Sequence, residues 1–187
     1  MTRLDRGLAH RRFAAAAVLL LLAARAEAAG VESSFGIALG YVKPKSIDAT
    51  LWFNGDFRFH LAAPIALSPE FSYWKRSDSV SGVSTSLEDL HFGVNVLLVL
   101  RAGRTVELFA GGGGGLHHVT GDVAVFGFPA GSRSVTKPGV DALAGLDFRA
   151  GEGISFFLGA RFDRVLELQD AEALDQWKYY GGFRLRF

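Results

Sequence analysis

The residues best equipped for chemistry are histidines near the middle of the chain. His117 and His118 are adjacent, and neighbours in a strand point to opposite faces, so the two cannot clasp one metal together. Folding residues 87–119 about Gly103 sets Asp89 opposite His117 with His91 diagonal to it, an Asp89/His91/His117 cluster near one mouth of the fold. Such a group could ligate a metal or respond to pH. The plainer reading is a satisfied rim network, and no cofactor is expected. A Ser/His/acid nucleophile needs three groups converging on one point. His118 shares a face with Thr120, but no acid accompanies them. Gly111–Gly115 invites comparison with a phosphate-cradling loop, which requires a following helix and a Lys-Ser or Lys-Thr pair. Leu116-His117-His118 follows instead, so the run is read as thin wall that leaves room for neighbours such as Trp52 or Phe109.

The elements that carry these residues alternate with period two. In 49–61 one face is Leu51, Phe53, Gly55, Phe57, Phe59 and Leu61; the other is Thr50, Trp52, Asn54, Asp56, Arg58 and His60. The same pattern occupies 31–42, 67–76, 87–100, 106–119, 140–149, 154–163 and 176–187. Eight segments of about ten residues, apolar on one face and polar on the other, have the length and dyad repeat of transmembrane β-strands. The expected fold is all-β: an eight-stranded antiparallel up-and-down transmembrane β-barrel. With the first strand starting in the periplasm, long external connections (43–48, 77–86, 120–139, 164–175) alternate with short internal ones (62–66, 101–105, 150–153), as such barrels require.

Ahead of this pattern stands a basic start (Arg3, Arg6, Arg11, Arg12), an apolar run from Phe13 to Ala24, and Ala26-Glu27-Ala28. That is the layout of a secretory signal peptide over 1–28, leaving 29–187 as the barrel. The absence of Cys excludes disulfides, and a net charge of +1 offers no footprint for nucleic acid.

The polar faces hold seven acids (Glu32, Asp56, Glu70, Glu107, Asp141, Asp147, Asp163) and seven bases (Arg58, Arg76, Arg149, Arg161, Lys178, Arg184, Arg186). A soluble sandwich has no reason to balance a face bathed in water. Inside a narrow barrel, charges must pair to offset desolvation, so these fourteen are expected to form a lumen ion-pair network. Register can be tested by pair chemistry. A turn centred near Pro64 sets Arg58 opposite Glu70 and Trp52 opposite Arg76. In the 140–163 hairpin, Asp141 against Arg161 with Gly145 against Phe157 is preferred over a slip that opposes Asp141 to Asp163.

The chain ends in Tyr179-Tyr180-Gly181-Gly182-Phe183-Arg184-Leu185-Arg186-Phe187. This resembles the C-terminal signature of bacterial outer-membrane proteins, with Tyr179, Phe183, Leu185 and Phe187 matching its alternate apolar positions. Residues 31–187 resemble the OmpA/OmpX-like outer-membrane barrel domain family, through Gly36-Ile37-Ala38-Leu39-Gly40-Tyr41 and Leu108-Phe109-Ala110-Gly111-Gly112-Gly113. The resemblance implies residence in the bacterial outer membrane, contact with its lipid and lipopolysaccharide, and assembly by the barrel-assembly machinery through the last strand. A monomer is expected. The function it implies is a structural or surface-interaction barrel without catalytic activity, its lumen plugged by ion pairs. The alternatives are a minor pore for small solutes and a lipid A-modifying enzyme. Recognition would reside in the loops: Ser77–Ser86, and 121–138 with Val123, Val125, Phe126 and Phe128, where Arg133 and Lys137 are placed to meet lipopolysaccharide phosphates.

Overall fold

The computed structural model describes residues 32–45, 48–166 and 173–187, and the expected signal peptide lies outside them. Eight antiparallel strands follow in chain order: β1 (Ser33–Pro44), β2 (Thr50–Ala62), β3 (Ile65–Val80), β4 (Val83–Ala102), β5 (Val106–Val125), β6 (Phe128–Arg149), β7 (Ile154–Val165) and β8 (Leu174–Arg186). Each pairs with its neighbours, and β1 pairs with β8, so the sheet closes into a barrel with no free edge. Reciprocal backbone bonds between Ser33 and Phe187 (3.1 and 3.0 Å) finish the seam at the end where β1 begins and β8 finishes, the terminal end of the barrel.

Alternation sorts the side chains. On β4, Phe92, Val94, Val96, Leu98 and Leu100 face outward and are exposed, while Asp89, His91, Asn95, Leu97 and Val99 face inward and are buried. The outward apolar run from Leu90 to Leu100 rises about 25 Å at the usual strand rise and tilt, the height of a bilayer's apolar band. Exposed aromatics stand toward its two edges, Tyr41, Tyr73, Trp177 and Tyr179 on one side and Phe148, Phe156 and Phe187 on the other.

The long connections expected at 77–86 and 120–139 are instead strand. β3–β4 and β5–β6 run on past the apolar band to two-residue turns, Ser81-Gly82 and Phe126-Gly127, all four residues with positive φ (51°, 81°, 48°, 82°). Such turns match the strand twist and let pairing continue to the tip. The phase of the alternation inverts on this extension. Glu88, Ser86 and Ser84 succeed Leu90 on the outward face, and beside them Ser86 donates to Asp122 (3.2 Å) while Thr120 and Ser134 share a 2.9 Å bond. The opposite face carries Val83, Val123, Val125 and Val135. Polar outward and apolar inward is the reverse of the membrane pattern, so the extension stands beyond the lipid.

Three expected registers are corrected, each by two residues. Trp52 faces Trp74 and Asp56 faces Glu70. His91 faces His117. Asp141 faces Asp163, and Gly145 faces Gly159. The turns decided this: β4–β5 closes over 103–105 with Gly103 at φ 85°, and β2–β3 carries an irregularity between His60 and Ala62. The opposition of Asp141 and Asp163 is tolerated because cations arrive from elsewhere. Arg161 binds both, and Lys178 from β8 binds Asp163.

Candidate functional site: the charged lumen

Inward positions of β2 to β8 build two charged layers separated by rings, while β1 turns small residues inward. The layer nearer the termini is built on Arg184, which grips Asp56 with two bonds (2.7 and 3.1 Å) and reaches Asp147 at 3.3 Å. Arg186 bridges Glu107 (2.7 Å) and Asp147 (3.0 Å), Arg58 lies 3.9 Å from Asp147, and Arg149 binds Glu107 closely. Glu32 is exposed at the rim, where it meets Arg101 (3.1 Å), Arg149 and Arg186. Arg101 was not expected here, although it shares the parity of Asp89 and His91 and so belongs on the inward face.

Between the layers sit Trp52, Phe109, Phe157 and Tyr180. Their faces receive cations: Arg58 over Phe109 (4.7 Å), Arg184 over Phe157 (4.9 Å) and Lys178 over Trp52 (5.2 Å). The Arg58–Glu70 pair and the Trp52–Arg76 contact expected from sequence are therefore replaced. Arg76 lies outside the lumen network, at the far rim, bonded to Asp78 (2.6 Å) and 3.6 Å from Asp48. Its hydrogen bonds hold the Asp78 carboxyl below the ordinary carboxylate range.

The layer nearer the hairpins centres on Arg161, whose guanidinium contacts Glu70 and Asp163 closely and Asp141 at 3.1 Å. Beyond it a polar chain crosses the lumen. Trp74 donates to Gln176 (3.1 Å), Gln176 donates to Asp89 (3.1 Å), and His117 Nδ1 lies 2.9 Å from Asp89. The His117 ring stacks on His91 at 4.3 Å. Asp89, His91 and His117 do meet, with the register corrected: the acid reaches His117 diagonally, and the imidazoles are the directly opposed pair. Trp74 and Gln176 were missed, though each continues the polar phase of its strand two residues from a predicted member.

The glycine run serves this layer. A Cβ on Gly115 would meet His91 Nε2 at 2.5 Å, one on Gly93 would meet it at 2.7 Å, and one on Gly139 would meet His117 at 2.6 Å. The imidazoles, with Asn95 against Gly113, occupy the room expected for Trp52, while Phe109 lies against Gly145. His118, on the outward face, bonds Thr136 (3.0 Å). Lys137, expected to reach lipopolysaccharide, is buried facing inward beside His117. Tyr179, Phe183, Leu185 and Phe187 are exposed on the outward face of β8.

An internal cavity of about 20 Å³ lies between the layers, lined by Trp52, Asp56, Glu70, Phe157, Arg161 and Arg184 among others. That is room for about one water. A wider groove of about 580 Å³ opens on the extension, among Ser77, Ser84, Ser86, Asp122 and Ser132.

No family model matches the chain, and no curated protein matches it. Solved structures do. Neisserial surface protein A superposes with a TM-score of 0.58 at 14% identity, over 84% of this chain and 97% of that one. The outer-membrane protein OprG of Pseudomonas aeruginosa gives 0.55 at 12% identity, over 84% and 94%. Ail, the attachment invasion locus protein of Yersinia pestis, gives 0.52 at 21% identity, over 83% and 97%. At these identities the likeness concerns the fold.

Proposed function

From a chain with the fold of the small eight-stranded outer-membrane barrels, we propose a structural or surface-interaction protein of the bacterial outer membrane, without catalysis and with a plugged lumen. The observation that carries this reading is how full the barrel is. Side chains from β2 to β8 fill the interior, ion pairs lie in two layers, and the cavity between them admits about one water. This argues against a minor pore. The imidazole oriented by an acid, His117 on Asp89, is buried and has no serine hydroxyl hydrogen-bonded to it among the described residues. This supports a non-catalytic role over lipid A modification.

The surface presented beyond the lipid is the four-stranded β3–β6 extension, with Phe126 and Phe128 exposed at its tip. Partner recognition belongs there, and Arg133 is an exposed cation at that level for lipopolysaccharide phosphates. The barrel-assembly machinery would read β8 through its outward aromatic face. Planar-bilayer recording tests the plug: reconstituted protein should give no steady conductance, and a large steady one would overturn it. Deleting 120–134 should abolish adhesion of the cells that display the barrel, and unchanged adhesion would remove the surface role.

A further inference from the structure

The upper layer of the lumen contains an imidazole that the ion-pair plug does not use. His91 is 1% exposed, and neither of its ring nitrogens makes a hydrogen bond. Buried polar groups are normally satisfied, so such a ring calls for an explanation. Its Nδ1 lies 3.5 Å from Glu70 Oε1. Asp141 approaches from β6 with Oδ2 held by Arg161 and Oδ1 without a hydrogen bond. One donor atom from each of Glu70, His91 and Asp141 lies within 4.8 Å of the others.

We propose that the lumen binds one divalent transition-metal ion, of the zinc or manganese class, through Glu70, His91 and Asp141. Ligands about 2.1 Å from such an ion stand roughly 3.4 Å apart; Glu70 and His91 already have that spacing at 3.5 Å, so the closing movement, about 1 Å, falls to Asp141, whose Oδ1 is free of hydrogen bonds. One imidazole with two carboxylates suits zinc or manganese better than calcium, which prefers an all-oxygen shell. The surroundings fit a dication. Among the described residues, Glu70, Asp89, Asp141 and Asp163 make salt bridges with only two permanent cations, Arg161 and Lys178, leaving two negative charges. Lys137 stands beside His117 in the register but bridges none of the four among the described residues. The groups around the three ligands already hold them in place. Asp89 holds His117, the His117 ring stacks on His91 and fixes its plane, and Arg161 orients both carboxylate ligands. The set shares only His91 with the Asp89/His91/His117 cluster expected from sequence, because His117 is already committed to Asp89.

The test uses the full barrel refolded in detergent micelles, stripped with EDTA and titrated calorimetrically with Zn²⁺ and separately with Mn²⁺, with metal content measured after dialysis. One ion per chain is expected for at least one metal. His91→Gln and Asp141→Asn should each weaken binding at least tenfold, while His118→Ala, an imidazole on the outward face, should leave it unchanged. Far-UV circular dichroism checks each variant's strand content, and two separate ligand variants keep the test valid if one does not fold. Failure of both metals to bind at one per chain would overturn the proposal. So would equal retention by both folded ligand variants, or loss of binding on His118→Ala. None of these results bears on the bilayer conductance, so the plug stands or falls separately.

Discussion

Arg161→Met removes the cation on which the upper layer is organised. The side chain is 1% exposed and touches three carboxylates, Glu70, Asp141 and Asp163. Met fills much of the same volume, so the loss is mainly of charge and hydrogen bonds. Asp163 keeps Lys178, but Glu70 and Asp141 are left without a permanent cation inside a closed barrel. Removing one partner of a buried pair costs about 3–5 kcal/mol. The two acids belong to one cluster, with carboxylate oxygens within 4.8 Å of each other, so their losses are not additive and the total stays near that range rather than twice it. At about 2 kcal/mol per M of urea, the unfolding midpoint should fall by about 2 M. Tryptophan fluorescence of the barrel in phospholipid vesicles would report it, since Trp52 and Trp74 are buried in the lumen. Arg76→Met, at the far rim, should leave the midpoint unchanged. A loss below about 1 kcal/mol at pH 7 would refute the idea that Arg161 neutralises these acids.

The apolar band predicts depth dependence: Val96→Arg, outward on β4 near its middle, should cost about 2–4 kcal/mol, whereas Ser84→Arg on the extension should cost about 0–1 kcal/mol, both read by urea unfolding in vesicles. Gly93→Ala places a Cβ against the His91 ring (2.7 Å to Nε2) and should destabilise by about 1–3 kcal/mol, with partial recovery in Gly93→Ala/His91→Ala; additivity in that double-mutant cycle would show that the imidazole is not what the glycine accommodates. If 1–28 is a signal peptide, N-terminal sequencing of the exported protein should begin at Ala29, and a start elsewhere would correct the boundary.

The sequence by itself determined the class of fold, the number and order of strands, and which face of each strand meets lipid. Those properties are local. Alternation fixes a residue's face whatever it pairs with, which is why Asp56, Arg161 and Arg184 could be assigned inward and Phe183 and Phe187 outward from the chain alone. The inversion of phase beyond Leu90 was equally present in the letters, in Val83 and Leu87 against Ser84 and Ser86, but the polar residues there read as loop. Only the tertiary structure decided the partners. A register slip of two residues keeps every face and changes every neighbour, so pattern cannot detect it, and pair chemistry misjudged it because charges were matched across one hairpin at a time. In a closed barrel a side chain can reach across the axis. Arg161 on β7 meets Glu70 on β3, and Lys178 on β8 relieves Asp163 on β7, so the opposition of Asp141 and Asp163 is tolerated. The same geometry brings Glu70, His91 and Asp141 together from three strands. That site exists only because the sheet closes.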